Sequence, residues 1–234
     1  MVTREGSHDT RDIEAFRDEL ASAAVDLGTP LPSPTLDRLT IHYRLLREWS
    51  RRMNLTGLRT RRAILDRHFI EPLVAAPFLD GEGLLVDLGS GNGFPAIPLA
   101  ILHPEARLVL VEATEKKSTF LWIVLREVGL KAAQVVTERV CRRADLSRFL
   151  PARWITFRGI KIDEALAGPG PDLLEPGGRM LAFVSEADAD RIAKTPPSGV
   201  KRISTHALPR SPGDVVAIFG PDSDAPLSPD RISR

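Results

Sequence analysis

Cysteine is almost missing from this chain: Cys141 is the one example in 234 residues. That excludes a disulfide within the chain and a cysteine-rich zinc site, and it fits a reducing compartment. Long apolar runs are missing too. None approaches the roughly 18 residues that cross a bilayer as a helix. The stretch Met1 to Glu14 mixes charges of both signs and has no apolar segment of the kind a secretory leader needs. The expected location is cytoplasmic, with no membrane partner. A dominant charge is also lacking, since 32 Lys and Arg face 31 Asp and Glu, for a net charge of +1. Whole-chain charge therefore names no partner. No internal repeat is visible. What is present, 43% hydrophobic and 27% charged residues, suits a globular chain that buries one sizeable core.

Residues 9–80 read as a helical N-terminal extension. Asp9 can cap a helix with Ile13, Phe16, Leu20 and Leu27 on its apolar face, and Gly28 stops it. Pro30, Pro32 and Pro34 mark a loop. A second helix carries Leu36, Leu39, Tyr43, Leu46 and Met53 on its inner stripe. A third spans about Arg61 to Ile70, and Pro72 should open a new helix in its first turn. The pattern changes over residues 81–220, where short apolar strands alternate with helices. Strands are expected at Leu84–Leu88, Arg107–Glu112, Ala133–Thr137, Trp154–Phe157 and Arg179–Val184, the last after a turn at Pro176-Gly177-Gly178. A helix is expected over Glu115–Val128. A closing hairpin pairs Lys201–Leu208 with Asp214–Phe219. The alternation predicts an α/β, doubly wound, mainly parallel sheet with antiparallel strands at one edge. Residues 221–234 are polar and proline-bearing, and are expected to be disordered.

The sharpest signal is Asp87-Leu88-Gly89-Ser90-Gly91-Asn92-Gly93, which follows a strand and opens a helix. Glycines let backbone pass close to a ligand. Two ligand classes compete for such a turn. Dinucleotide sites favour G-x-G-x-x-G, with a pyrophosphate on the helix N-terminus. Here the glycines alternate and an acid precedes them. Asp87 suits a ligand with an ammonium and a sulfonium better than one with a pyrophosphate. Glu112, ending the next strand, can accept both hydroxyls of a ribose. Asp87, Gly89, Gly91, Gly93 and Glu112 are therefore candidate cofactor residues, with S-adenosylmethionine the favoured ligand. The bland alternative is a glycine turn that binds nothing.

Several segments together resemble one family. They are Asn54-Leu55-Thr56, Arg67-His68-Phe69, the run from Val86 to Leu99 (VDLGSGNGFPAIPL), Val111-Glu112, Lys116-Lys117, Phe120-Leu121 and Arg158. Phe94-Pro95 followed by Ile97-Pro98 is much rarer than the glycine motif itself. These segments resemble the ribosomal RNA small subunit methyltransferase G family, also called glucose-inhibited division protein B. The resemblance implies a seven-stranded class I methyltransferase fold with a helical N-terminal extension. It implies methylation of N7 of one guanine in 16S rRNA from S-adenosylmethionine, with ribosomal RNA or the small ribosomal subunit as partner. No metal is expected. Gly89 and Phe94 then fall where the family meets the methionine end or ribose, and Val140 with Cys141 where it meets adenine. Arg158 falls at a cofactor or substrate position and is the candidate catalytic residue. Asn54, Arg59 and His68 fall where the extension approaches the mouth of the site. The chain departs from the family at Ala96, Cys141, Val184 and Gly213-Asp214.

The end of the fourth strand bears on the methyl acceptor. Enzymes acting on exocyclic amines commonly carry Asn/Asp-Pro-Pro-aromatic there, whereas this chain has Thr156-Phe157-Arg158-Gly159. Methylation at pyrimidine carbon 5 needs a nucleophilic cysteine, and Cys141 lies after the third strand. An acceptor with its own lone pair, such as guanine N7, needs only alignment. Arg158 can orient phosphate or the guanine O6 edge, or simply pair with a carboxylate. From Arg38 to His68 nine arginines meet only Glu48 and Asp66, a local excess of seven positive charges. Arg44, Arg47 and Arg51 share one face, which suits an RNA backbone or a plain solvated surface. A small-molecule methyltransferase and a catalytically silent relative are the competing readings.

Overall fold

The computed structural model describes residues 4–139, 149, 151–160, 174–194 and 200–222. Helix α1 (Arg4–Asp26) lies against α2 (Ser33–Trp49). A short α3 (Arg61–Ile64) runs into a π-type turn over Leu65–Ile70 and then α4 (Glu71–Ala75). The α/β part follows as β1 (Leu84–Leu88), α5 (Ala96–Leu102), β2 (Arg107–Glu112), α6 (Glu115–Glu127), β3 (Ala133–Thr137), β4 (Ala152–Arg158), β5 (Leu174–Ser185), α7 (Glu186–Lys194), β6 (Val200–Ala207) and β7 (Asp214–Pro221).

The strands form one seven-stranded sheet in the order β3-β2-β1-β4-β5-β7-β6. Strands β1 to β5 pair in parallel, while β7 runs antiparallel to both β5 and β6. Alternation along each strand separates two cores, because successive side chains point to opposite faces. Leu85, Leu108, Leu110, Trp154, Leu181 and Phe183 join one cluster with Phe16, Leu20, Tyr43, Leu46 and Phe69 from the N-terminal helices. Leu84, Val86, Val109, Ile155, Phe157 and Met180 join the other, with Ala189 and Ile192 of α7. The N-terminal helices thus share their core with the sheet and α5 and α6.

Five expectations need correction. Helix α2 ends at Trp49, so Met53 lies beyond its inner stripe. Helix α1 begins at Arg4, ahead of the cap expected at Asp9. Its end is as expected: Gly28 adopts φ +72° and donates to Val25, and Thr29 donates to Ala24. The third helix is interrupted, since the Glu71 N–H reaches back five residues to Asp66. Pro72 then sits in the first turn of α4, where no N–H is missed. The Pro176-Gly177-Gly178 turn lies inside β5. Ala152 pairs with Leu174 and Trp154 with Arg179, so the turn loops out against Arg153 alone. Helix α7 is an addition. Its signal was Ser185-x-x-Asp188, and Ser185 Oγ accepts the Asp188 N–H at 3.1 Å.

Candidate cofactor and substrate site

Strand β1 lies between β2 and β4, so its carboxyl end opens where the crossovers diverge to opposite sides. The loop there carries Gly89, Gly91 and Gly93 at φ +70°, +55° and +87°. Side chains strain such backbone, and a Cβ on Gly93 would stand 2.5 Å from Ile97 Cδ1. The loop is tied to β2. Gly89 and Ser90 N–H both donate to the Val111 carbonyl, at 2.9 and 3.0 Å. Glu112 Oε2 accepts the Gly91 N–H and its Oε1 accepts the Thr114 N–H, both at 2.8 Å. Each oxygen keeps another lone pair for a ligand hydroxyl.

Asp87 is buried at 1% exposure. Its Oδ1 accepts the Thr156 hydroxyl at 2.7 Å, whereas Oδ2 is buried without a partner. Burial pushes the carboxyl up to about 6, against the pull of the Thr156 bond. A buried carboxylate with one free oxygen is costly alone and suits a cationic ligand group. Together with the side-chain-free glycine cradle, this fits the methionine end of S-adenosylmethionine.

Sequence reasoning missed the next layer. His42, on the inner face of α2, is fully buried and approaches the Asn92 carbonyl with Nε2 at 3.0 Å. Phe94 stacks on His42 at 4.2 Å between centroids and on His68 at 4.4 Å. The Asn92 amide donates to the Leu55 carbonyl at 3.2 Å and lies 3.3 Å from His68 Nε2, which also meets Thr56 Oγ1 at 3.1 Å. His68 was expected at the RNA side of the site. It is buried behind the glycine loop, and burial with Arg158 nearby holds it far below the usual imidazole range, so it is neutral. The polar residue amid Leu39, Tyr43 and Leu46 was the available signal for His42.

Arg158, at the end of β4, is 12% exposed and committed inward. It donates to the Arg67 carbonyl at 2.6 Å and to Glu71 Oε2 at 2.5 Å, over the Phe183 ring at 4.7 Å. Nε has no partner. Burial pulls the guanidinium down to about 10, still far above neutrality, so Arg158 keeps its charge, while burial raises the Glu71 carboxyl against the pull of that charge. Ser211 Oγ donates to Glu71 Oε1, and Arg67 pairs with Asp214. The departure at Asp214 is therefore matched by the arginine of the Arg67-His68 segment. Val184 faces Val215 across β5 and β7.

The arginine-rich stretch is less unbalanced in space than along the chain. Arg61 pairs with Asp12 and Glu19 of α1, Arg47 with Asp12, Arg44 with Glu48 and Arg62 with Asp66. Helix α2 ends before Arg51, so the three arginines do not share one helix. They do line one cleft of about 380 Å³ with Asp12 and Arg52. Asn54 and Arg59 are exposed. Val140, Cys141 and residues 223–234 lie outside the described residues. Among the described residues no helix is long and apolar enough to cross a membrane, and no His/Cys/Asp/Glu cluster suits a metal.

This strand order, with a glycine loop after β1 and an acid closing β2, defines a class I methyltransferase, and the cofactor is S-adenosylmethionine. The fold matches the fibrillarin–Nop5p complex with a TM-score of 0.52 at 16% identity, over 62% of this chain and 75% of that one. The sequence pattern of the rRNA small subunit methyltransferase G family (GidB) matches residues 35–207. Ribosomal RNA small subunit methyltransferase G of Halorhodospira halophila is 34% identical over 197 residues, 84% of this chain and 92% of its own. The enzyme of that name from Geobacter metallireducens is 33% identical over 183 residues, 78% and 82% of the two chains. The chain belongs to the rRNA small subunit methyltransferase G family.

Proposed function

We propose that this chain methylates N7 of a guanine in 16S rRNA, in the cytoplasm, on ribosomal RNA or the small subunit. The observation that carries the reading is the state of the polar groups around the glycine loop. His42 and His68 are buried and neutral. Imidazoles held so far below their usual range are weak bases. Arg158 is ionised against Glu71. Such a site suits an acceptor that already presents a lone pair, and guanine N7 carries one in the ring plane. Alignment rather than proton removal is then the protein's task.

Asp87, Gly89, Gly91, Gly93, Phe94 and Glu112 would hold the cofactor, Asp87 facing its ammonium and Glu112 its ribose hydroxyls. When bound, S-adenosylmethionine supplies an electrophilic methyl group on a sulfonium. Arg158 Nε, unpaired at the end of β4, would orient the bound groups. The test is single-turnover transfer to small-subunit RNA between about pH 6 and pH 9 at saturating cofactor, with the product base identified. A flat profile and 7-methylguanine are expected. A rate rising about tenfold per pH unit means a proton leaves in the slow step, and the acceptor is then something other than N7.

Arg44, Arg47 and Arg51, with Asn54 and Arg59, would meet the RNA. The Arg44 and Arg47 ion pairs are 3.6 Å long and their guanidinium side chains about 40% exposed. Exposed pairs of this kind contribute little, so phosphates can replace the acids. Changing Arg44, Arg47 and Arg51 to glutamine should flatten the salt dependence of RNA binding by roughly 0.7–0.9 of log–log slope for each phosphate no longer neutralised. Cofactor affinity should stay the same. An unchanged slope returns these arginines to the solvated-surface reading.

A further inference from the structure

We propose that His42 is a positioning residue for the cofactor loop: from α2 it fixes the peptide that joins Asn92 to Gly93, and so sets the affinity for cofactor without touching it. An imidazole on the apolar stripe of α2, between Leu39 and Leu46, is expensive to bury unless its polar atoms are used. Burial drives His42 down to about 3, so it is neutral and carries one proton. Its partner is a carbonyl, which can only accept. The proton therefore sits on Nε2 and is donated to the Asn92 oxygen at 3.0 Å. Nδ1 is left as a bare lone pair, and it is buried without a partner. One nitrogen is satisfied, and it is the one aimed at the loop.

What that bond holds is conformationally soft. Asn92 stands between Gly91 and Gly93, both at positive φ. The Asn92–Gly93 peptide turns about Asn92 ψ and Gly93 φ, and glycine offers the second of these little resistance. Rotating the Asn92 carbonyl away also turns the Gly93 N–H, which closes the loop onto the Ser90 carbonyl at 2.7 Å. The Asn92 side chain is anchored separately, on Leu55 and His68. His42 is thus the side chain that selects the carbonyl's direction. The same ring lies parallel to Phe94, within 3°. Helix α2 in this way grips the residues on both sides of Gly93.

A histidine that merely fills the core and one that positions the loop differ in what a donor does. Glutamine places an amide N–H near the position of Nε2. Methionine has the same length and no donor. Phenylalanine keeps the stack and has no donor. The full-length chain with His42→Gln, His42→Met or His42→Phe would be titrated calorimetrically with S-adenosylhomocysteine. Ligand-free thermal unfolding and methyl transfer at saturating cofactor would be measured alongside. The Met and Phe chains should bind about tenfold more weakly, the effect of one buried hydrogen bond with its acceptor stranded. The Gln chain should stay within about threefold of the parent on the same grounds. The KM for cofactor should follow Kd, while kcat at saturation is retained. Equal affinities for Gln and Met overturn the proposal, and so does a common fall in melting temperature with no donor-dependent change in Kd. If the Met and Phe chains do not fold, the Gln chain decides. Near-parental affinity supports positioning, and a tenfold loss shows that the ring itself is what matters.

Discussion

Replacing Asp87 by asparagine is expected to stabilise the ligand-free protein and to weaken S-adenosylhomocysteine binding by at least about thirtyfold, the effect of removing one partner of a buried charge pair. Both outcomes come from one atom. Oδ2 is buried with no hydrogen-bond partner, and burial raises the carboxyl from 3.8 to about 6. A carboxyl whose folded value lies above its unfolded value favours the fold when protonated. That contribution is complete below about pH 4 and is lost as the pH rises through about 6. At pH 8 the parent therefore carries the cost of an ionised, half-partnered carboxylate. Asparagine does not, and its oxygen can still accept from Thr156. The gain should be about 1–3 kcal/mol at pH 8 and should shrink towards zero near pH 4. Binding moves the other way, because an ammonium needs the carboxylate. Parental affinity should fall as the pH drops below about 6, while the asparagine chain should show no such dependence. Calorimetry with S-adenosylhomocysteine and thermal unfolding at several pH values check both. A variant that binds normally removes Asp87 from the cofactor site.

The elements that were legible in the sequence are those whose signal is local. Leu84–Leu88 is a strand because a short apolar run sits between glycines, and Gly89, Gly91 and Gly93 announced their positive φ by being glycine. Arg107–Glu112 and Ala133–Thr137 matched their expected bounds because each is a short run carrying paired β-branched and apolar residues. What failed to show depends on partners far along the chain. Counting arginines from Arg38 to His68 gave a large excess of charge, because Asp12 and Glu19 belong to another helix. His68 was placed by its segment, yet whether it faces RNA or the core is decided by Phe94, 26 residues later. Glu71 gave no signal at all. Its importance is set by Arg158, Ser211 and Arg67, gathered from β4, the hairpin turn and the π-type turn.

That buried cluster allows the two roles of Arg158 to be separated. Glu71 is 3% exposed and holds the Arg158 guanidinium. Glu71→Ala should lower the unfolding free energy by about 3–5 kcal/mol, because it strands a positive charge inside the protein. Arg67 keeps Asp214 and is not stranded with it. If the loss comes from that stranded charge, removing the charge should reverse it. The double change Glu71→Leu with Arg158→Met fills the same space with apolar groups, and should recover most of the stability. Denaturant unfolding of Glu71→Leu, Arg158→Met and the double variant measures this, and the two single losses together should exceed the loss in the double variant. Methyl transfer should not follow stability. The proposed orienting role needs the Arg158 Nε–H, and methionine has no donor. The double variant should therefore fold nearly as well as the parent and transfer methyl groups at least about a hundredfold more slowly, the scale of losing a preorganised donor. Transfer at the parental rate in a stable double variant would show that Arg158 serves only to neutralise Glu71, and the orienting group would have to be sought elsewhere around the loop.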